Sequence, residues 1–275
     1  MSEGMLYICA TPIGNLEDIT LRAIRILQEC DAIACEDTRH SIKLLNHLNI
    51  KKFLFSYHQH NEQARTDEIL QRLEQGEKIA LISDAGMPGI SDPGFVLVNK
   101  AQQQGFKVTV LPGASAGISA LVLSGLPCDR FVFEGFLPSS VKERKERLEL
   151  LAKEQRTVII YESPHRIAKT LEQLYKYAGE RMVVVVREMT KIYEEYTRLQ
   201  LKDWQQFVDQ KAPKGEFVLV LEGAQPKEES FEDITIAEQV LQEIAKGADK
   251  KTAVKLVAKA RKLPKNEVYI QAMEL

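Results

Sequence analysis

Ser83-Asp-Ala-Gly-Met-Pro-Gly-Ile-Ser-Asp-Pro-Gly94 follows directly on the apolar run Lys78-Ile-Ala-Leu-Ile82. Its twelve residues hold three Gly, two Pro and two Asp. The apolar run is too short for a helix of ordinary length and reads as a buried strand. A loop of φ-permissive and φ-fixed residues at the carboxyl end of such a strand lets a ligand approach the backbone closely. In open α/β sheets, ligands sit at that edge.

The same arrangement recurs outward from this stretch. Leu6–Ala10 runs into Thr11-Pro-Ile-Gly-Asn15, and Val108–Leu111 into Pro112-Gly-Ala-Ser115. Asp31–Cys35 ends in Glu36-Asp-Thr-Arg-His40, and Phe53–Tyr57 in His58-Gln-His-Asn-Glu62. Between them, helical spacing predicts helices over 18–28, 41–48, 66–74, 95–104 and 116–123, with Asp18 or Thr20 capping the first. Strand and helix alternate about five times, the pattern of a parallel α/β layer. None of the loops matches the glycine spacing of a dinucleotide fold or a P-loop, which disfavours those ligands.

Ser124-Gly-Leu-Pro-Cys-Asp129 marks a composition shift. Strands are expected at 131–136, 157–161, 182–186 and 217–221, with a charged helix at 139–154 and further helices at 167–177 and around 204–208. This half reads as a second α/β or α+β domain. From Glu228 onward the pattern is helical, at 234–245 and 252–261, with a last turn at 266–273. The expected division is 1–124, 125–224 and a helical basic tail at 225–275.

The net charge of −2 over 275 residues gives no global pull toward polyanions, so any such binding rests on local patches. One is a stripe of Lys251, Lys255, Lys259 and Lys262 at i+4 and i+3 steps, as backbone phosphates would use, although a solvated face is the commoner reading. Cys9, Cys30, Cys35 and Cys128 have no C-x-x-C spacing and read as free thiols of a reducing compartment. No apolar run approaches the ~18–20 residues of a membrane span, and Met1-Ser-Glu-Gly-Met5 lacks a basic region followed by an apolar one. No membrane partner and a cytoplasmic location are expected. The His58–Glu62 stretch lacks a second spaced ligand set, so no metal is expected.

Thr11–Asn15, Glu36–His40, His60-Asn-Glu62, Ser83–Gly86 with Ser91–Gly94, and Pro112-Gly113 form an ordered series. It continues with Gly135-Phe-Leu-Pro138, Tyr161-Glu-Ser163 with His165-Arg166, Arg187-Glu188 with Thr190-Lys191, and Lys214-Gly-Glu216. The series resembles the ribosomal RNA small subunit methyltransferase I family, of the tetrapyrrole-methylase-like class III methyltransferases, over residues 5–224. The resemblance implies an α/β, two-domain tetrapyrrole-methylase-like fold. Its N-terminal sheet would be mostly parallel, its second domain a mixed sheet, and its tail small and helical. It implies a homodimer that uses S-adenosyl-L-methionine to methylate the 2′-oxygen of a cytidine ribose in the decoding region of 16S rRNA, within the small ribosomal subunit. It also implies cofactor contacts at Ile13, Gly14, Asp84, Ala85, Gly86, Met87, Ser115, Ala116, Tyr161, Glu188 and Glu216. Where this chain has Met87 the family usually has Thr.

A ribose 2′-hydroxyl needs a base within hydrogen-bond reach. Asp37, Glu162 and His165 are the candidates, in that order. Arg39, His60, Arg166, Arg187 and Lys191 would position RNA together with the tail lysines, since cations at strand ends suit phosphate oxygens. Two other readings stay open: methylation of a tetrapyrrole on the same fold, and a non-catalytic RNA-binding or ribosome assembly protein.

Overall fold

The structure is a computed structural model that describes residues 4–210, 214–225 and 234–272. The first half holds β1 (Met5–Cys9), α1 (Leu21–Glu29), β2 (Ala32–Cys35), α2 (Thr38–His47), β3 (Phe53–Ser56), α3 (Glu62–Glu74), β4 (Lys78–Ile82), α4 (Phe95–Gln103), β5 (Lys107–Leu111) and α5 (Ala116–Ser124). Its five strands lie in the order β3-β2-β4-β1-β5, and every pairing is parallel. Helices cover both faces, so the strands read as continuous apolar runs. Leu6 and Ile8 pack into one core cluster and Tyr7 and Cys9 into the opposite one.

Register decides where the site lies. Cys9 pairs with Ile82 on one side and Leu111 on the other, so β4, β1 and β5 end level. The three Gly/Pro loops at 11–15, 83–94 and 112–115 therefore emerge side by side. β2 lies beyond β4 and brings Glu36–His40 next to Asp84.

Most departures from the sequence reading lie at helix starts, where caps decide. α1 begins at Leu21 because Thr20 Oγ1 accepts the Ala23 N–H at 3.1 Å, while Asn15 caps a separate 3-10 turn at Leu16–Asp18. α2 begins at Thr38 because the Asp37 carboxylate accepts the Arg39 N–H at 2.8 Å. α3 begins at Glu62, four residues before the expected start.

The second sheet holds β6 (Phe131–Phe136), β7 (Thr157–Glu162), β8 (Met182–Arg187), β9 (Glu195–Gln200) and β10 (Phe217–Leu221), in the order β6-β7-β10-β8-β9. β6 and β7 are parallel and the other pairs antiparallel, so the sheet is mixed. α6 (Val141–Leu151), α7 (Ile167–Ala178) and α8 (Trp204–Gln210) accompany it. The register of β6 shifts between Phe133 and Gly135. Gly135 has φ +68°, and a Cβ there would lie 3.2 Å from Ser91 Oγ, so β6 runs against the 83–94 loop. Both sheets belong to one compact unit that ends at Ala224.

The tail is a compact unit of its own, with α9 (Ile236–Ala245), α10 (Lys250–Ala260) and α11 (Lys265–Gln271). A capping box between Thr235 and Glu238 opens α9 and Asp249 caps α10. Val240, Val254, Val257 and Val268 form its core. Lys251, Lys255, Lys259 and Lys262 are all exposed. The last segment is a helix of seven residues, more than the expected turn, and Met273 lies outside the described residues.

Candidate active site

A cavity of about 400 Å³ lies between the loop edge of the first sheet and the second sheet. Ile13 comes from the loop after β1, Ala85–Met87 and Ile90–Asp92 from the loop after β4, and Ser115 and Ala116 from the start of α5. Phe136, Tyr161–Pro164, Val186, Met189 and Glu216–Val218 form the other wall. The lining is mostly apolar with a few polar groups, the composition of a small-molecule site.

Three braces fix this shape. Thr11 and Gly86 exchange backbone hydrogen bonds of 2.9 and 3.1 Å, and Gly86 has φ +81°, a conformation that favours glycine. Glu62 Oε1 accepts the Gly94 N–H at 3.1 Å, tying the polar loop after β3 to the far end of the 83–94 loop. The Gly117 N–H donates to Tyr161 Oη at 3.0 Å and joins α5 to β7. Ser115 makes no side-chain cap on α5, and the Ala116 N–H at the cavity wall has no partner among the described residues. A free N–H at a helix start suits a carboxylate such as that of an amino-acid arm.

The carboxylates differ sharply in what holds them. Asp92, Glu162 and Glu216 line the cavity. Glu162 is buried and accepts from Ser163 N–H at 2.8 Å and Thr170 Oγ1 at 2.6 Å, with Arg144 and Arg166 beside it. Glu216 pairs with Lys191 at 3.0 Å. Asp92 has no hydrogen-bond or ion-pair partner among the described residues. Burial, then the Glu36 and Asp84 charges, push its carboxyl up to about 7. Burial and the same acidic neighbourhood also raise Glu36. Sequence reasoning passed over Asp92 as a site residue. The available signal was a second acid in the same Gly/Pro loop.

The other expected bases are placed differently. Asp37 is held by the Arg39 side chain at 3.1 and 2.8 Å and by the Arg39 N–H, and its carboxyl is pulled down to about 2. His165 is exposed and is not among the lining residues. Glu162 reaches the lining, but with its charge neutralised and its oxygens engaged.

Of the expected cofactor contacts, Ile13, Ala85, Gly86, Met87, Ser115, Ala116, Tyr161 and Glu216 are brought together around the cavity. Asp84 is outside this lining: it lines a smaller neighbouring cavity, and its Oδ1 accepts the Asp37 N–H at 3.1 Å. Glu188 is outside the lining too. Burial alone would raise its carboxyl, but the Glu216 N–H at 2.9 Å and Lys191 Nζ at 3.0 Å outweigh it and hold it low. Gly14 faces this knot. A Cβ on Gly14 would sit inside van der Waals contact of Lys191 Cγ and 3.0 Å from Thr190 Oγ1, a buried hydroxyl without a partner. Gly14→Val is expected to displace Lys191 from Glu216 and weaken cofactor binding about tenfold, an overpacking cost of ~1.4 kcal/mol. Calorimetric titration checks this, and unchanged affinity would remove Gly14 from the site.

The expected RNA-facing cations divide. Arg166 donates to Leu137 O at 2.5 Å and Arg187 to Lys214 O at 2.6 Å and Glu195 at 2.9 Å, so these and Lys191 hold the protein's own loops. Arg39 is exposed beside Asp37, and the exposed His60 packs edge-on to His58 at 5.8 Å. Among the described residues no group of acids, histidines and cysteines is arranged for a metal ion, and no helix is long and apolar enough to cross a membrane.

This architecture has counterparts. Residues 5–205 match the family model of Tetrapyrrole (Corrin/Porphyrin) Methylases. A Synechocystis protein named ribosomal RNA small subunit methyltransferase I is 46% identical over 274 residues, covering 99% of this chain and 98% of that protein. A Haemophilus influenzae protein of the same name is 48% identical over 270 residues, covering 97% and 95%. The crystal structure of uroporphyrin-III C-methyl transferase from Thermus thermophilus, complexed with S-adenyl homocysteine, superposes with a TM-score of 0.55 at 17% identity. It covers 80% of this chain and 97% of that one, and it shows a shared fold. The chain belongs to the tetrapyrrole methylase family and, within it, to the ribosomal RNA small subunit methyltransferase I proteins.

Proposed function

We propose that this protein transfers a methyl group from S-adenosylmethionine to the ribose 2′-oxygen of a cytidine in the decoding region of 16S rRNA. Its family supports the methyltransferase activity, and the relatives' name supports rRNA of the small subunit as the acceptor. The observation that carries the chemistry is the unpaired Asp92 carboxylate in the cavity wall.

When bound, S-adenosylmethionine would supply a methyl carbon already activated by its sulfonium, to which the 2′-oxygen would bond as the C–S bond breaks and its electron pair goes to sulfur. The protein has to align the two partners and remove one proton. The Ala116 N–H and the apolar walls around Ile13, Met87 and Val186 would hold the cofactor. Asp92 takes the hydroxyl proton and later yields it to water. A carboxyl near 7 suits that task, because it is ionised often enough to act and basic enough to accept. The apolar lining excludes water from a step in which opposite charges are dispersed.

The protein works as a homodimer in the cytoplasm, needs no metal, and approaches the subunit partly through its basic tail. Replacing Lys251, Lys255, Lys259 and Lys262 by Ala should weaken RNA binding and flatten its salt dependence by up to ~3 units in log–log slope, at ~0.7–0.9 per phosphate contact. Binding isotherms over a salt series check this, and an unchanged slope would reduce the stripe to a solvated face. The test of the whole reading is a nucleotide-resolution map of 2′-O-methyl groups in rRNA from cells with and without the protein. It predicts one cytidine in the decoding region that loses its methyl group.

A further inference from the structure

Asp84 lines a second cavity of about 130 Å³. This cavity abuts the large one. Thr11 and the 83–86 turn separate them, locked by the paired Thr11–Gly86 backbone bonds and by Thr11 Oγ1 donating to Ser83 O at 3.1 Å. A wall braced three ways is rigid. Two parts of one ligand could therefore sit on its two sides at a fixed separation.

The lining has two characters. Pro12, Leu16 and Leu44 are apolar, while Asp84, His40 and Lys43 are polar. The Asp84 carboxylate spends Oδ1 on the Asp37 N–H at 3.1 Å, and His40 Nδ1 comes only to 3.9 Å. Its Oδ2 makes no hydrogen bond among the described residues, and Lys43 has no ion pair among them. A carboxylate oxygen with spare capacity, two donors and an apolar wall are thus collected beside the larger cavity.

Resting on the 2′-O-cytidine reading, we infer that this second cavity receives the unstacked base of the acceptor nucleotide, with Asp84 accepting a hydrogen bond from the exocyclic amine of cytosine. Single-stranded RNA is read by such splayed bases, bonded on their edges and packed on flat or apolar side chains. Cytosine offers an amine to a carboxylate, whereas uracil turns a carbonyl oxygen toward it, which repels. The donors His40 and Lys43 suit the ring acceptors of cytosine. A bare phosphate is the poorer occupant, because Glu36, Asp37 and Asp84 crowd the same edge with negative charge.

The experiment uses the full-length protein and small ribosomal subunits carrying C or U at the acceptor position, in single-turnover methylation with labelled cofactor. The wild type is expected to prefer C by at least about 100-fold, as a site built around a hydrogen bond does. Asp84→Asn, whose carboxamide can either accept or donate, should shrink that preference below about tenfold while cofactor affinity stays within about twofold. Leu44→Trp, which fills the cavity and keeps the Asp84 carboxylate, should slow methylation of the C subunit at least about 30-fold with cofactor affinity unchanged, an effect of lost positioning. An intact preference in Asp84→Asn, or a wild-type rate in Leu44→Trp, overturns the inference. So does tighter binding of both subunits by Asp84→Asn with the preference intact, which would mark a phosphate site. If the wild type puts its label elsewhere than a cytidine 2′-oxygen, the underlying reading fails instead, and the position of the label tells the two failures apart.

Discussion

Asp92→Asn is expected to lower kcat by about 10²–10⁴-fold, the usual contribution of a positioned general base, while cofactor affinity changes little. The substitution keeps shape and removes only the ability to take a proton. The pH dependence separates this role from mere positioning. In the wild type the rate should rise about tenfold per pH unit below a pH near 7 and level off above it, because the ionised carboxylate is the active form. Asp92→Asn should lose that limb. Glu36→Gln removes one of the charges that raise Asp92, and the limb should move to lower pH.

Stability gives an independent check, with the opposite sign. The carboxyl is raised above its ordinary value of 3.8, so the folded state binds that proton more tightly than the unfolded chain. Its stabilising contribution is complete below that ordinary value and is lost as pH rises toward about 7. At pH 8 the folded protein holds an uncompensated charge at Asp92, and Asp92→Asn should melt at a higher temperature than the wild type. Near pH 3 the two should melt together. A variant that loses activity but gains no stability at pH 8 would mean that Asp92 is not the strained, poised group described here.

The first sheet was legible because its signals are local and repeated. Each strand is a short, largely apolar run, and four of the five lead into Gly, Pro or acid. The parallel register that brings Thr11, Ser83 and Pro112 level could not be read, since strand order is set by non-local pairing. The site was legible as a set of loops and much less so as a set of roles. Glu162 and Asp92 are both acids, one at the end of a strand and the other in the loop after one. What separates them is Arg144, eighteen positions away on α6, which reaches Glu162 through Thr170 on α7. Nothing in the spacing of the sequence announces that contact. The helix start at 38 escapes for a smaller reason: Asp37 reads as a catalytic group and not as a cap.

Arg144→Met is expected to destabilise the protein by about 3–5 kcal/mol, the cost of leaving a buried carboxylate without its partner. Arg144 is buried, donates through Nε to Gln173 at 2.6 Å and through Nη2 to Thr170 Oγ1 at 2.5 Å, and its Nη2 lies 3.8 Å from Glu162 Oε2. Thr170 in turn donates to that same oxygen at 2.6 Å. Arg166, bonded to Leu137 O, holds the other side of Glu162 at 3.4 Å. One carboxylate between two guanidinium groups thus joins the loop after β6, the end of β7 and the start of α7, all behind the cavity wall. At ~2–4 °C per kcal/mol for a domain of this size, Tm should fall by about 10 °C. Glu162→Gln should fall by a comparable amount, because it leaves two cations facing each other. The double variant Arg144→Met with Glu162→Leu should recover a large part of the loss, since an apolar replacement of a buried pair can match it. Far below the melting temperature Glu162→Gln should keep kcat within about threefold, whereas a proton acceptor would lose at least about 10²-fold. A variant with the wild-type Tm and the kinetics of a missing base would return Glu162 to the chemistry and leave Asp92 without its role.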